Sequence, residues 1–103
     1  MKIKYIDEKI EQICTNKKIA VKKYNMEMAV AIFKRIKQLS SAKSIGEVIS
    51  SKLGRCHPLK GNRKGQYAID LVHPARLVFS IEDREIKICL IIEITDYHKN
   101  KGN

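Results

Sequence analysis

The tripeptide Asp96-Tyr97-His98 follows the last apolar run of the sequence and combines a carboxylate, a phenol and an imidazole. Imidazole titrates near neutral pH, so His98 can accept or donate a proton, an aspartate can orient the ring, and a tyrosine can stack on a base. Such a cluster, where a buried strand meets solvent, can supply proton transfer. Taken alone, such a tripeptide is more often a set of ordinary surface residues, so its role depends on what the fold brings beside it.

The segment GRCHPLKGNRKGQY, from Gly54 to Tyr67, is rich in cations and contains no carboxylate. Its functional side chains are Arg55, His57, Lys60, Arg63 and Lys64. On a turn flanked by Gly61 and Gly65, exposed backbone N–H groups and cationic side chains can both reach a phosphate. A solvated basic loop in a basic protein is the alternative interpretation, and local composition does not separate the two.

The other reactive residues give little support for a metal site. The three cysteines, Cys14, Cys56 and Cys89, lack C-x-x-C spacing, so we expect reduced thiols. Cys56 beside His57 is not a chelating pair of the usual spacing, and His73 is assigned to a turn. Dinucleotide, Walker, nucleophile-elbow and zincin motifs are absent from the sequence. We expect neither a metal nor a cofactor.

Net charge narrows the class of ligand. The 103 residues include 21 Lys plus Arg against 11 Asp plus Glu, which leaves +10 at pH 7. Such a field attracts polyanions and so favours nucleic acid, or an acidic protein, over a neutral metabolite. Neither a run of about 18 apolar residues nor a signal-peptide pattern occurs. We therefore expect one cytoplasmic domain, residues 1–103, without membrane association.

Helical periodicity predominates in the first half of the chain. Asp7 is positioned to cap a helix that ends near Asn16. Asn25 is predicted to cap the longest helix, in which apolar residues recur at three- and four-residue steps. The sequence SIGE, from Ser44 to Glu47, has the form of a capping box, with Gly54 as the left-handed residue that ends this third helix.

Alternating apolar residues predict strands, three of them after Gly54. The alternating runs lie at 2–6, 67–71, 77–81 and 86–94. A three-residue loop sets Ile69 opposite Phe79, and a four-residue loop sets Phe79 opposite Ile88, so both hairpins pair apolar with apolar residues. The predicted fold is α+β in two layers, with N-terminal helices packed on one face of a twisted, mainly antiparallel sheet.

Four short motifs follow one another in the second half of the sequence. They are RCHPLKG at 55–61, GQY at 65–67, RLVF at 76–79 and DYH at 96–98. Together they resemble the RelE/ParE superfamily of toxins from toxin-antitoxin systems, most closely the HigB-like branch of plasmid maintenance killer proteins. The resemblance covers roughly residues 53–98, and the helical first half is similar in layout.

The resemblance implies a RelE-like fold and an endoribonuclease that acts without a metal, enters the ribosomal decoding site and cuts translated mRNA. Carried over to matching positions, the implied catalytic residues are Lys60, Arg76, Asp96, Tyr97, His98 and His57. Lys60 and Arg76 would neutralise the scissile phosphate, and the tripeptide with His57 would handle protons. Arg55, Arg63 and Lys64 are interpreted as further contacts to the RNA. The predicted hairpins put Arg76 and His98 toward one edge of the sheet and bring Lys60 in from the other.

The same resemblance implies specific partners. A cognate HigA-like antitoxin with a helix-turn-helix DNA-binding fold would hold the toxin inactive, and the complex would bind operator DNA through that antitoxin. The 70S ribosome and its mRNA would be the targets.

Two alternatives stay open. One is a toxin of the same fold that inhibits DNA gyrase, as in the ParE branch, although Lys60, Arg76 and the DYH tripeptide together argue against it. The other is a non-catalytic RNA- or ribosome-binding module, or a degenerate toxin, and only an activity measurement separates it from the enzyme.

Overall fold

Five strands form one sheet in the computed structural model, which describes residues 1–83, 85 and 87–95. The strands are β1 (Lys2–Tyr5), β2 (His57–Pro58), β3 (Gln66–Asp70), β4 (Arg76–Asp83) and β5 (Ile88–Thr95). Their spatial order is β1-β5-β4-β3-β2, with β1 parallel to β5 and the other described pairs antiparallel. The predicted tripeptide Asp96-Tyr97-His98 lies outside the described residues.

Four helices pack against one face of this sheet. They are α1 (Glu8–Thr15), α2 (Lys17–Lys23), α3 (Met26–Ser41) and α4 (Ile45–Ser50). Their apolar sides and the sheet form one core, which includes Ile32 and Leu39 of α3 together with Ile69, Leu77 and Phe79. The predicted two-layer α+β fold is therefore confirmed.

Side-chain caps set the helix starts as the sequence predicts. Asp7 accepts a hydrogen bond from the backbone N–H of Ile10 at 2.8 Å, and Asn25 accepts one from Met28 at 2.8 Å. Each bond satisfies an N–H group that has no partner within the helix. Ser44 accepts from the N–H of Glu47, but the carboxylate of Glu47 reaches back to the N–H of Lys43 rather than to that of Ser44.

The predicted end of the first helix near Asn16 is confirmed, but the helix that follows it was not predicted and the end of α4 differs from the prediction. Asn16 ends α1 and also caps α2, accepting from the N–H of Ile19 at 3.3 Å. The sequence analysis missed α2 because KKIAVKK is too short and too lysine-rich to show a clear apolar period. After α4, Lys52 rather than Gly54 takes the left-handed position, with φ 60°. Gly54 also has a left-handed φ of 52°, but it lies two residues further along, within the 3₁₀ turn Leu53–Arg55.

The β3–β4 register is shifted by two residues from the prediction. Ile69 lies opposite Leu77, and the connection is longer than three residues because Leu71 donates its N–H to Ala75. A shift of two leaves every side chain on its predicted face, so the apolar pattern could not detect the error.

The β4–β5 register is wrong by an odd number of residues, which changes the face. Phe79 lies opposite Ile91 rather than Ile88, and a bulge separates this pair from the pair of Val78 and Glu93. Cys89 and Ile91 therefore join the core, whereas Ile88 belongs to the opposite face. The sequence ICLII is apolar at every position, so alternation there carries no information on the face.

None of the helices in the described residues is long and apolar enough to cross a membrane.

Candidate functional site

The sheet face opposite the helices carries most of the polar residues of interest. His57, Ala68, Val78 and Glu93 are cross-strand neighbours in one row over β2, β3, β4 and β5. Residues directly opposite one another share a face. Asp70, Arg76 and Thr95 form a second row, two residues along each strand, and so lie on the same face. We call this side the opposite face.

Two arginines converge on one carboxylate at the end of the opposite face. Nε of Arg55 lies 2.6 Å from Oδ2 of Asp70, and Nε of Arg76 lies 3.8 Å from Oδ1 of the same residue. Two guanidinium groups against one carboxylate leave one excess positive charge, which can hold an anion. Arg55, Asp70 and Arg76 are called the arginine cluster below.

The arginine cluster is anchored to the helical layer. Arg35 of α3 donates through Nε to the backbone carbonyl of Asp70 at 2.7 Å. At the neighbouring strand, Arg76 donates its N–H to Oγ1 of Thr95 at 3.0 Å. These two bonds fix the backbone from which the side chains of Asp70 and Arg76 extend, whereas the side chain of Arg55 is 71% exposed.

Thr95 is the last described residue of β5, and Asp96 follows it directly in the chain. Since Thr95 is the cross-strand partner of Arg76, the DYH tripeptide begins one residue beyond that partner. The sequence predicts that Arg76 and His98 lie toward one edge of the sheet, and the pairing of Arg76 with Thr95 places Arg76 beside the end of β5.

His57 lies three residues before Lys60 and has a defined hydrogen bond. Its Nδ1 is 2.9 Å from the backbone carbonyl of Arg55. A carbonyl oxygen only accepts, so in the neutral ring Nδ1 carries the hydrogen and Nε2 is the proton acceptor. The arrangement leaves Nε2 free to act as a general base.

Arg63 reaches across the opposite face instead of pointing freely into solvent. Its Nε donates to Oε1 of Gln66 at 2.9 Å, and its Nη2 donates to Oε1 of Glu93 at 2.7 Å. Gln66 belongs to β3 and Glu93 to β5, and β4 lies between them, so the side chain passes above β4. Arg63 is therefore already paired with a carboxylate.

Lys60 and Lys64 lie at the other end of β3 from the arginine cluster. The backbone N–H of Leu59 bonds to the carbonyl of Gln66, which places Lys60 beside the start of β3. Four residue steps of about 3.3 Å separate Gln66 from Asp70, a distance of about 13 Å. The structure brings Arg55 and Arg76 together, but it does not place Lys60 beside them.

Two carboxylates, Asp70 and Glu93, are the site residues that the sequence analysis missed. Each sits on an otherwise apolar strand and pairs with an arginine of the predicted site. The sequence offered one indication of their importance: carboxylates are rare in this part of the chain, and none lies between Glu47 and Asp70. The shifted registers hid their partners, because the predicted pairing set neither residue opposite a cation.

The buried cysteines lack thiolate character. Burial raises the pKa of the Cys56 thiol to about 11 and that of Cys89 to about 12. Cys56 belongs to the core, whereas His57 lies on the opposite face, so the two side chains diverge. No group of three or more His, Cys, Asp or Glu residues within the described ranges is arranged to hold a metal ion.

Comparison with solved structures gives matches over nearly the whole chain. The YoeB/ParE toxin from Agrobacterium tumefaciens has a TM-score of 0.64 and 17% identity, over 91% of this chain and 95% of that one. The YoeB-YefM complex from Staphylococcus aureus gives 0.64 and 19%, over 93% and 95%. A mutant of YafQ from E. coli gives 0.53 and 16%, over 95% and 94%.

At these identities the likeness concerns the fold. The chain has the RelE/YoeB-like fold, as its motifs predicted. No protein-family profile matches the sequence, and no curated protein sequence matches it.

Proposed function

We propose that the chain is the toxin of a type II toxin-antitoxin system, an endoribonuclease that cleaves translated mRNA on the ribosome. The observation that carries the proposal is the arginine cluster, which lies on the same face as His57, at the point where β5 runs into the DYH tripeptide. The toxin fold of its structural neighbours supports the same conclusion.

The proposed reaction is attack by the 2′-OH of the RNA on the neighbouring phosphorus. A bond forms between the 2′ oxygen and phosphorus while the bond from phosphorus to the 5′ oxygen breaks, giving a 2′,3′-cyclic phosphate and a 5′-hydroxyl. The 2′-OH loses a proton and the leaving 5′ oxygen gains one. Extra negative charge develops on the phosphoryl oxygens, and Arg76 with Arg55 stabilises it.

Two histidines fit the two proton transfers. His57 presents Nε2 as a base because its Nδ1 donates to the carbonyl of Arg55. His98 then protonates the 5′ oxygen, a role that rests on its motif, with Asp96 orienting it and Tyr97 stacking on a base. Proton transfer of this kind contributes typically about 10²–10⁴-fold.

Lys60 contacts RNA at a different phosphate in this proposal. The resemblance implied a contact with the scissile phosphate, but the arginine cluster lies about 13 Å along β3 from the Lys60 end. Few residues of the protein then act on the reacting phosphate. In this proposal the ribosome aligns the 2′-OH with the leaving oxygen. Arg63 and Lys64 contribute charge to the approach of RNA.

The proposed partners follow from the same assignment. A HigA-like helix-turn-helix antitoxin would hold the toxin inactive and carry the complex to operator DNA, with the 70S ribosome and mRNA as the cytoplasmic targets. A structural neighbour that is a complex, YoeB-YefM, supports a protein partner. We assign the whole chain, residues 1–103, to one toxin domain of the HigB-like branch.

Gyrase inhibition is a second candidate, because one structural neighbour is named YoeB/ParE. The arginine cluster and His57 favour the nuclease, since they match the needs of a phosphoryl transition state. Inhibition of gyrase supercoiling without RNA cleavage would reverse this order.

The test is mRNA cleavage in a reconstituted translation system, with the new 5′ ends mapped. Wild type cleaves only with translating ribosomes, Arg76→Ala and His98→Ala lose about 100-fold or more, and the charge-matched Lys37→Ala on the exposed side of α3 retains activity. Folded wild-type chain that cleaves no mRNA and arrests no growth would contradict the assignment.

A further inference from the structure

A cleft of about 440 Å³ lies beside the turn between β2 and β3, apart from the arginine cluster. Its walls are Pro58, Leu59, Lys60, Gly61, Lys64, Gly65 and Tyr67. Sites for small ligands span roughly 300–1,000 Å³, so the cleft has room for one nucleotide-sized group. In the proposed function Lys60 and Lys64 contact RNA, and the other residues of the cleft have no role.

One wall of the cleft is an immobilised aromatic ring. Tyr67 stacks on Phe79 with ring centroids 5.7 Å apart and planes 20° apart, and Phe79 is fully buried. Pro58 is the cross-strand neighbour of Tyr67 and lines the cleft beside it. A ring held in this way offers a rigid stacking surface at little cost in conformational entropy.

The rim of the cleft is cationic and sterically open. Lys60 and Lys64 are exposed, and neither forms an ion pair with any residue that the structure describes. A Cβ added at Gly61 or Gly65 would meet no atom within 4 Å, so a ligand can approach the backbone there. Both glycines have positive φ, which keeps bulkier residues out.

We propose that this cleft binds one unpaired nucleotide of the RNA, with its base against Tyr67 and its phosphates near Lys60 and Lys64. Aromatic stacking with cations along the backbone is how proteins hold single-stranded nucleic acid. An acidic peptide would satisfy the two lysines but would leave the aromatic wall unused. The proposal rests on RNA being the substrate.

In this proposal the nucleotide held in the cleft is not the one that reacts. Tyr67 packs against the core side of the sheet, whereas Arg76 and His57 lie on the opposite face. A strand held in the cleft must therefore pass around the β2 edge to reach the arginine cluster. The cleft thus fixes where along the RNA the reaction occurs, without touching the phosphate that reacts.

The test is binding of a short labelled single-stranded RNA to the isolated chain, followed by fluorescence anisotropy. Tyr67→Leu weakens binding about tenfold, a typical effect of losing one stacked base, and Lys64→Gln weakens it by a similar factor of about ten because a cation near the phosphates is lost. Lys37→Gln removes the same charge from α3 and weakens binding less than about threefold. If Lys37→Gln weakens binding as much as Lys64→Gln, the interaction is general electrostatics and the proposal is overturned.

An RNA that lacks the base at one position tests the stacking contact separately. One abasic position weakens binding to wild type but adds little to the loss in Tyr67→Leu, because the stacking partner is already gone. Equal effects of the abasic position in both proteins would overturn the proposal. Lys64→Gln on the exposed turn keeps the test decisive if Tyr67→Leu unfolds. Because the readout is binding, a chain that binds in this way but cuts no RNA contradicts only the proposed function.

Discussion

At one end of β3, Arg55 and Arg76 lie against the carboxylate of Asp70, whereas at the other end Lys60 and Lys64 pair with none of the described carboxylates. The arginine cluster is also bonded to α3 through Arg35 and to β5 through Thr95. The turn that carries Lys60 and Lys64, called the lysine turn, is tied to the sheet through the side chain of Arg63, which bonds to Glu93. The arginines of the cluster are paired with a carboxylate, whereas the two lysines are not.

This difference separates two uses of positive charge. A reacting phosphate needs donors already in place, since reorganisation during the reaction would be costly. Capture of a polyanion needs mobile, solvated cations, which act over a distance set by salt. We therefore assign chemistry to the arginine cluster and capture of RNA to the lysine turn.

The largest expected effect concerns Gly54, which lies next to Arg55. Its φ is +52°, and an added Cβ would lie 2.7 Å from Cγ1 of Ile69 and 2.9 Å from Cζ of Arg35. Gly54→Ala therefore combines backbone strain with overpacking, and we expect a loss of about 3 kcal/mol in the free energy of unfolding. Urea unfolding measures it.

Gly65→Ala is the matched control in the lysine turn. Its φ is +94°, but the added Cβ meets nothing within 4 Å, so only backbone strain of about 1–2 kcal/mol applies. Equal losses in the two variants would mean that the cluster end is no more tightly packed than the turn.

A second expected effect is alkaline destabilisation through Cys56, which follows Arg55 in the chain and is buried in the core. Burial raises the pKa of its thiol from 9.0 to about 11, so the unfolded chain ionises first. The stabilisation is fully present below pH 9 and is lost as pH rises toward 11, at up to about 1.4 kcal/mol per pH unit.

Cys56→Ala removes this contribution and flattens the decline. Urea midpoints of the variant and wild type, measured between pH 8 and pH 11, give the difference. A difference between the two proteins that does not change with pH would show that the Cys56 thiol is not protected in the folded state.

Asp70→Asn is expected to lower RNA cleavage without weakening RNA binding. Because the Arg55 side chain is 71% exposed, losing its bond to Asp70 costs no more than about 1 kcal/mol in unfolding free energy, and Arg76 loses its carboxylate as well. Cleavage falls because the guanidinium groups are no longer fixed, while RNA binding holds or strengthens because a negative charge is gone. Glu82→Gln, on an exposed carboxylate of β4, makes the same charge change as its control. Weaker RNA binding by Asp70→Asn would argue against this prediction.

The smallest effect concerns Glu93, the partner of Arg63. Both side chains are about two-fifths exposed, so their ion pair contributes roughly 0–1 kcal/mol. Glu93→Gln frees Arg63, and we expect RNA affinity to rise about two- to fourfold with a steeper salt dependence. Anisotropy titrations at several salt concentrations measure both. An unchanged salt slope would mean that Arg63 does not reach the RNA.

Much of the fold could be predicted from local signals. Asp7, Asn25 and Ser44 marked helix starts because a cap needs only its own side chain and the next turn. The strand registers could not be predicted from local signals of this kind. In β5, apolar residues occupy both faces, and the bulge near Val78 adds an offset that no pattern reveals.

The motifs pointed to residues that the structure groups together, but not to the carboxylates with which the arginines pair. Arg55, His57 and Arg76 were identified from motifs, and the structure groups them on one end of the opposite face. Asp70 and Glu93 were missed because their roles depend on the registers. Lys60 was assigned to the scissile phosphate by resemblance, and its distance from Arg76 along β3 follows only from the observed pairing of β2 with β3.

The central claim is that the arginine cluster acts in the reaction and the lysine turn acts in RNA binding. The most direct test is single-turnover cleavage of one ribosome-bound mRNA over a range of protein concentrations. We expect Arg76→Ala to lower the rate at saturation about 100-fold and to change the half-saturating concentration little. Lys64→Ala should raise the half-saturating concentration several-fold and leave the saturated rate near that of wild type. The same pattern in both variants, or the reverse pattern, would contradict the account.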